Sequence, residues 1–310
     1  MKSLRKDQKM MKDKISIKNA LLKVCEHLKN ADIKGSGRES AMILSEVLDK
    51  SIEYIYTHFD DEFSSENLGK LLKMAEKRTN GMPMAYVLGK KEFFGLEFKV
   101  DSNVLIPRPE TEMMIETAID WAESFEKDEK LLVLDIGTGS GCIPIAIAKN
   151  IKENVEFLAT DLSEKALKVT KSNVEFHKLK NIIKLEKSDL LKDVNVSIFD
   201  QKNVLITANL PYLSKEIYED SPSSVQDFEP KEALISGING LDHYRKLFKQ
   251  IIEKDILNIS SSINILLEIS PEQKDGIEKL AEEEFGDNME ISTKKDLAGK
   301  WRLVLINFNL

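Results

Sequence analysis

The chain has 310 residues, 42% hydrophobic and 32% charged, with a net charge of −8. This length suits two domains, and the hydrophobic share excludes general disorder. The acidic balance disfavours nucleic acid as the main substrate, two cysteines exclude a disulfide framework, and no apolar run is long enough to span a bilayer.

Residues 1–14 are Lys-rich but include Asp7 and Asp13 and hold no apolar run, which argues against a signal or transit peptide. They read as a solvated terminus, with a weak electrostatic contact to a nucleic acid or acidic partner as the other reading. Ile17, Ala20, Leu21, Val24, Cys25 and Leu28 then recur at helical spacing. Ser36-Gly37 breaks that pattern. Ala41, Ile43, Leu44, Val47 and Leu48 begin a second helix, and Leu68, Leu71, Leu72 and Ala75 supply a third. Asn80-Gly81 and Pro83 close the region, giving a small helical domain over residues 1–82.

The period then changes. Tyr86–Gly89 and Phe93–Val100 look extended, rich in aromatic and β-branched residues, and predict a β-hairpin linker over residues 83–106. Phe93, Phe94 and Phe98 read as its core. Pro109 suits a first helical turn, with Glu110 and Glu112 favourable at its N-terminal dipole. Arg108 and Glu110 either line a ligand entrance and brace a loop or are solvated charges at a helix start.

From residue 131 strands alternate with helices. Leu131–Ile136, Phe157–Asp161, Ile182–Leu185, Val204–Asn209, Ile263–Ile269 and Trp301–Ile306 read as strands. A helix pattern covers Ile143–Lys149, and Ser163 suits the N-cap of another over 164–176. The alternation implies an α/β fold with a doubly wound, mostly parallel sheet over residues 107–310.

Asp135-Ile136-Gly137-Thr138-Gly139-Ser140-Gly141 ends the first of these strands and opens a helix. Glycines let a backbone turn tightly and approach a ligand. A dinucleotide fold prefers GxGxxG, whereas the spacing here is GxGxG, with Cys142 following and no P-loop lysine. The loop therefore suits a nucleoside without phosphate. Asp161, at the end of the next strand, can accept both ribose hydroxyls. Asp189, ending the third, can meet an adenine amino group. Cys142 has no visible base and reads as a small packing residue. Trp301 reads as core, and the four scattered histidines predict no metal.

Asn209-Leu210-Pro211-Tyr212 follows the fourth strand, where open α/β sheets bind ligands. An amide or aromatic amine nitrogen has a delocalised lone pair and needs positioning more than a strong base. The Asn209 side-chain oxygen can accept one N–H and the Leu210 carbonyl the other. Pro211 stiffens the turn, and the Tyr212 face favours positive charge developing on the nitrogen. This is catalysis by proximity and orientation.

On these motifs the chain resembles the release-factor glutamine methyltransferases, the PrmC/HemK family. Gly81–Gly89 is similar to the family's hairpin segment, and Ile106-Pro107-Arg108-Pro109-Glu110-Thr111-Glu112 to its most specific motif. Phe228–Leu234, Asn239–Tyr244, Glu268-Ile269 with Gln273, and Asp296–Gly299 before Arg302 resemble its later signatures. The resemblance implies a seven-stranded class I methyltransferase domain behind a partner-docking helical domain. It implies methyl transfer from S-adenosylmethionine to the GGQ-motif glutamine of class 1 peptide-chain release factors. Gly137–Gly141, Asp161 and Asn209 then bind the cofactor, and Asn209–Tyr212 hold the glutamine. A cytoplasmic monomer with neither membrane contact nor a direct nucleic-acid substrate is expected. Two departures stand out: Leu210 replaces the family's usual Pro, and Gly237-Ile238 its usual Gly-Gly. Because Asn-Leu-Pro-Tyr is also typical of rRNA adenine dimethyltransferases, adenine-N6 methylation is the alternative. A cofactor-sensing scaffold and an NAD-dependent oxidoreductase are the other readings.

Overall fold

The computed structural model describes residues 15–126, 128–151 and 155–308, so the Lys-rich terminus lies outside the described residues. The chain forms two compact units. One runs to Gly89 and also takes Ser223–Phe228, and the other comprises Lys90–Pro222 and Glu229–Leu310.

The first unit is helical: α1 (Ile17–Asn30), α2 (Ser36–Leu48), α3 (Ile52–Thr57), α4 (Ser65–Thr79) and α5 (Met84–Leu88). Two short strands, β1 (Ile15–Ser16) and β2 (Glu62–Phe63), pair antiparallel. Ile17, Ala20, Leu21, Val24 and Leu28 form the buried stripe of α1, whose N-terminus is capped by the Ser16 side chain. The break after α1 falls before Ser36, at Gly35 with φ 78°, so Ser36-Gly37 opens α2 rather than interrupting the chain. Tyr86–Gly89 is not extended. It belongs to α5, which Gly89 ends in a left-handed conformation. Aromatic and β-branched content suggested a strand there, but Tyr86 and Val87 bury from one helical turn.

The second unit begins with a hairpin, β3 (Lys90–Phe93) and β4 (Leu96–Lys99), turning at Phe94-Gly95. Phe93 and Phe98 are buried in its core. Pro109–Thr111 form one 3-10 turn leading into α6 (Glu112–Glu123). There follow β5 (Leu131–Ile136), α7 (Cys142–Asn150), β6 (Val155–Asp161), α8 (Glu164–Phe176), β7 (Ile183–Lys187) and β8 (Asn203–Ala208). The short helix α9 (Lys215–Glu219) follows, α10 (Ser223–Gln226) belongs to the first unit, and α11 (Asp242–Glu253) and α12 (Ile256–Ile259) continue the second. The chain ends with β9 (Ser262–Glu268), α13 (Lys274–Phe285), β10 (Glu290–Lys295) and β11 (Trp301–Phe308). Ser163 caps α8 as its sequence predicts.

Seven strands form one sheet in the order β10-β11-β9-β8-β5-β6-β7, with β11 antiparallel to both neighbours. The central strands are buried on both faces. Leu132, Leu134 and Ile136 join Val204, Ile206 and Ala208 on one side, under Tyr244, Leu247, Phe248 and Ile251 of α11. Val133 and Leu205 face the other, under Met114, Ile115 and Ala118 of α6 and the apolar residues of α7. Two-sided burial explains why these strands read as continuous apolar runs. β10 is the exception. Its sequence, Glu-Ile-Ser-Thr-Lys-Lys, is polar because it is an exposed edge, and the apolar pattern does not announce it. No described helix is long and apolar enough to cross a membrane.

Candidate active site

The strand order reverses between β5 and β8, the position where open α/β sheets place ligands outside their carboxyl ends. The glycine-rich loop leaves β5 at this point. Gly137 and Gly141 have φ of 71° and 80°. A Cβ on Gly137 would lie 2.9 Å from Leu210 Cδ2, and one on Gly141 2.7 Å from Thr170 Cγ2. Both positions therefore demand glycine for conformation and for space.

Side chains from the next β-α unit hold the loop. Gly139 N donates to Asp161 Oδ2 at 2.9 Å, and Thr170 Oγ1 donates to the Gly139 carbonyl at 2.7 Å. The buried Asn173 amide donates to the Ser140 carbonyl (2.8 Å) and the Lys99 carbonyl (2.9 Å), and accepts from Lys99 N (2.8 Å). One side chain thus ties the loop to the hairpin. Asp161 Oδ1 accepts from Ser163 N at 2.8 Å. Each Asp161 oxygen keeps a further lone pair, and burial raises the carboxyl above its ordinary value. Thr138 and Ser140 are buried.

Asp135 lies beside Thr207 in the β5–β8 register, and its Oδ1 accepts the Thr207 hydroxyl at 2.7 Å. Burial pushes the Asp135 carboxyl up to about 7. The Thr138 side chain faces the same carboxyl and eases that rise. Left-handed glycines and an available carboxylate on Asp161 form a cradle that fits a nucleoside. Cys142 is buried, which pushes its thiol up to about 12, so a packing role fits and a reactive thiolate does not.

Asp189 is placed differently. It lies two residues beyond the end of β7, and its carboxylate is engaged by Lys246 Nζ of α11. Its carbonyl accepts from Gln250 Nε2 at 3.3 Å. The structure puts Asp161 on the glycine loop but ties the Asp189 carboxylate to a helix.

Asn209-Leu210-Pro211-Tyr212 leaves the end of β8. Leu210 is 3% exposed and packs into the sheet core against Gly137. Its side chain thus points into the protein, and the departure from Pro adds core packing while keeping the carbonyl. Asn209 Nδ2 donates to Thr111 Oγ1 at 3.2 Å, whereas Asn209 Oδ1 is buried with no hydrogen-bond partner among the described residues. Tyr212 donates its hydroxyl to Glu268 Oε1 at 3.2 Å, and its carbonyl accepts from Gln273 Nε2 at 2.8 Å. Burial and the nearby Glu268 charge raise the Tyr212 phenol, keeping it protonated. Leu213 bridges to Ile235, securing the far side of the turn.

The neighbours of this turn define its surroundings. Glu268, at the end of β9, is buried and accepts the Thr111 hydroxyl at 2.6 Å. Burial raises its carboxyl, against the pull of hydrogen bonds from Thr111 and Tyr212. Arg108 Nη2 lies 2.6 Å from Oε1 of the buried Glu229, whose Oε2 accepts from Ile106 N at 3.3 Å. Arg108 is thus a brace, and Glu110 lies 3.8 Å from Arg302. Glu268 and Thr111 each fall in a motif of the resemblance, but their pairing across 157 residues is not written in either segment.

Residues 19–89 match the family model of the PrmC N-terminal domain, and residues 111–238 match that of the ribosomal protein L11 methyltransferase (PrmA). The release factor glutamine methyltransferase of Rhodopirellula baltica is 36% identical over 81% of this chain and 82% of its own. That of Clostridium botulinum is 33% identical over 93% of this chain and 98% of its own. Among solved structures, the human Mettl16 catalytic domain, in complex with an RNA hairpin, superposes with a TM-score of 0.52. It covers 79% of this chain and 82% of its own, and at 17% identity it speaks to the fold alone.

Proposed function

The chain belongs to the release factor glutamine methyltransferases, and from that premise we propose that it methylates the side-chain amide nitrogen, N5, of the GGQ glutamine in class 1 peptide-chain release factors. It is a methyltransferase whose cofactor is S-adenosylmethionine. When bound, the cofactor supplies an electrophilic methyl group on a sulfonium. The loop Gly137-Thr138-Gly139-Ser140-Gly141 would hold it, and the remaining lone pairs of Asp161 would take its ribose hydroxyls. Asp189 would meet the adenine by exchanging its Lys246 contact, and Asn209 would serve both cofactor and substrate.

The observation that carries the substrate assignment is the buried Asn209 Oδ1 at the carboxyl end of β8, unpartnered among the described residues. An acceptor in that position calls for an N–H donor, and a primary amide brings two. Asn209 Oδ1 accepts one, and the Leu210 carbonyl the other. Pro211 limits the turn's freedom, and Tyr212, kept neutral, covers the planar group. The amide nitrogen gains one methyl and loses one proton. Its low nucleophilicity is met by orientation, which contributes several kcal/mol without a strong base. The helical unit serves as a docking surface for the release factor, in the cytoplasm where translation ends.

The adenine-directed reading is not favoured, since relatives that align over most of their length carry the release-factor name. Incubation with S-adenosylmethionine and a class 1 release factor, then peptide mass analysis, tests the assignment. A gain of about 14 Da on the GGQ peptide is expected for one methyl. Methyl label found on ribosomal RNA and absent from the release factor overturns it.

A further inference from the structure

We infer that Thr111 and Glu268 are positioning residues whose hydrogen bonds set which end of the Asn209 amide faces the substrate. The inference rests on the assignment of Asn209 as the substrate's acceptor. An asparagine amide has two nearly isosteric orientations, one presenting an acceptor and the other two donors. Nothing in Asn209 itself selects between them.

Its neighbours do. The Glu268 carboxylate, when ionised, only accepts. It takes the Thr111 hydroxyl on Oε2 at 2.6 Å and the Tyr212 hydroxyl on Oε1 at 3.2 Å. A hydroxyl has a single proton. With that proton committed to Glu268, Thr111 Oγ1 shows Asn209 only lone pairs. Asn209 must answer with its NH2 group, as the 3.2 Å contact from Nδ2 shows. The oxygen is thereby turned the other way, into the buried position where it has no partner among the described residues. The opposite orientation would set two acceptors against each other at Thr111 and place a donor where the substrate brings its own N–H. The polarity of the site is therefore written two bonds away, at the end of β9. Thr111 and Glu268 are 2% and 3% exposed, so water does not substitute readily for either partner.

The same relay bears on specificity. Locked as an acceptor, Asn209 takes a nitrogen that carries hydrogen and rejects an acceptor atom such as an ester oxygen. A flipped amide would do the reverse.

Thr111→Val removes the hydroxyl at nearly constant volume, and Thr111→Ser retains it. Glu268→Gln places a donor where only an acceptor stood, which returns the Thr111 proton toward Asn209. Initial-rate kinetics on a release factor, calorimetric cofactor binding and thermal melting are measured together. Thr111→Val is expected to lower kcat about 100-fold, the scale of a small misorientation of reacting groups, while cofactor Kd stays near wild type and Tm falls only a few degrees for the buried partners left open. Thr111→Ser recovers most of the rate. Glu268→Gln lowers kcat similarly, and the double variant Thr111→Val/Glu268→Gln is no slower than the worse single one, because the two act through one chain. If the single losses multiply in the double variant, or Thr111→Val turns over like wild type, the relay is wrong. A rate loss explained by loss of fold, with Thr111→Ser no better than Thr111→Val, also overturns it. If Glu268→Gln fails to fold, the Thr111 pair carries the test, since it leaves the carboxylate in place. A wild-type enzyme that leaves the glutamine unmethylated overturns the substrate assignment and the relay with it, whereas an active wild type with an unaffected Thr111→Val overturns the relay alone.

Discussion

The glycine loop and the Asn209 turn lie at neighbouring strand ends, yet they are held by different means. The loop is gripped from nearby in sequence: Asp161 is 22 residues from Gly139, and Thr170 is 31. Those grips land on backbone atoms, so they fix a path. The Asn209 turn is gripped from far away, by Thr111 at a separation of 98 residues, itself held by Glu268. Those grips land on side chains, so they fix a polarity. A cofactor shared by many chemistries needs shape from its site, whereas one chosen nitrogen needs orientation. On this comparison, damage to the loop should appear as lost affinity and damage to the turn as lost rate.

The largest effect is expected from Asn209→Ala, which removes the acceptor. The rate of methyl transfer should fall roughly 100- to 1,000-fold, the range for deleting one positioned polar partner at a reacting centre. Single-turnover kinetics at saturating cofactor check this, and an unchanged rate would refute the amide clamp. Gly141→Ala should come next and act through the other route. Its left-handed φ and the 2.7 Å approach to Thr170 cost about 1–3 kcal/mol of strain. Cofactor Kd should weaken about tenfold or more with a lower Tm, while turnover at saturating cofactor is largely kept. If turnover fell and affinity held, the division of labour would be reversed.

Asp135→Asn addresses the floor beneath both regions. The native carboxyl is pushed up to about 7 by burial, against about 3.8 in the unfolded chain. Between those values the folded state keeps a proton that the unfolded state has lost. This group therefore draws stability down as pH rises through that window, with the penalty complete above about pH 7. Melting curves across pH 4–8 should show a shallower loss toward neutrality in the Asn variant, and parallel curves would argue against a protonated Asp135. The smallest effect is expected from Asp189→Asn. Its carboxylate is partly exposed and already engaged by Lys246, so cofactor affinity should change by less than about threefold. Calorimetry reporting a hundredfold loss would mean that the adenine contact outweighs the Lys246 pair it replaces.

The same contrast explains what sequence made readable. The loop could be read because its constraints are local: positive-φ glycines, a strand before, a helix after, and an acid ending the next strand. The strands around it could be read because burial on both faces leaves unbroken apolar runs such as Leu131–Leu134. Asn209–Tyr212 was readable as residue types, since a turn that holds a planar nitrogen needs an acceptor, a rigid corner and a ring. Its supports were not. Thr111 and Glu268 sit in segments that resemble family motifs, but their residue types alone name no role for them. Their meaning exists only after β9 has been laid beside β8. β10 was missed for the opposite reason, being polar as an edge must be, and α5 was misread because five residues are too few to show a period.

Asn173 joins the glycine loop to the hairpin through one buried amide. Those bonds close only when three pieces of chain have assembled: the hairpin, the turn after β5 and the last turn of α8. Until then the loop has no fixed course, and a nucleoside has nothing continuous to lie along. Cofactor binding thus reports completed assembly of this unit, and by mass action it withdraws finished molecules from the pool that can still unfold.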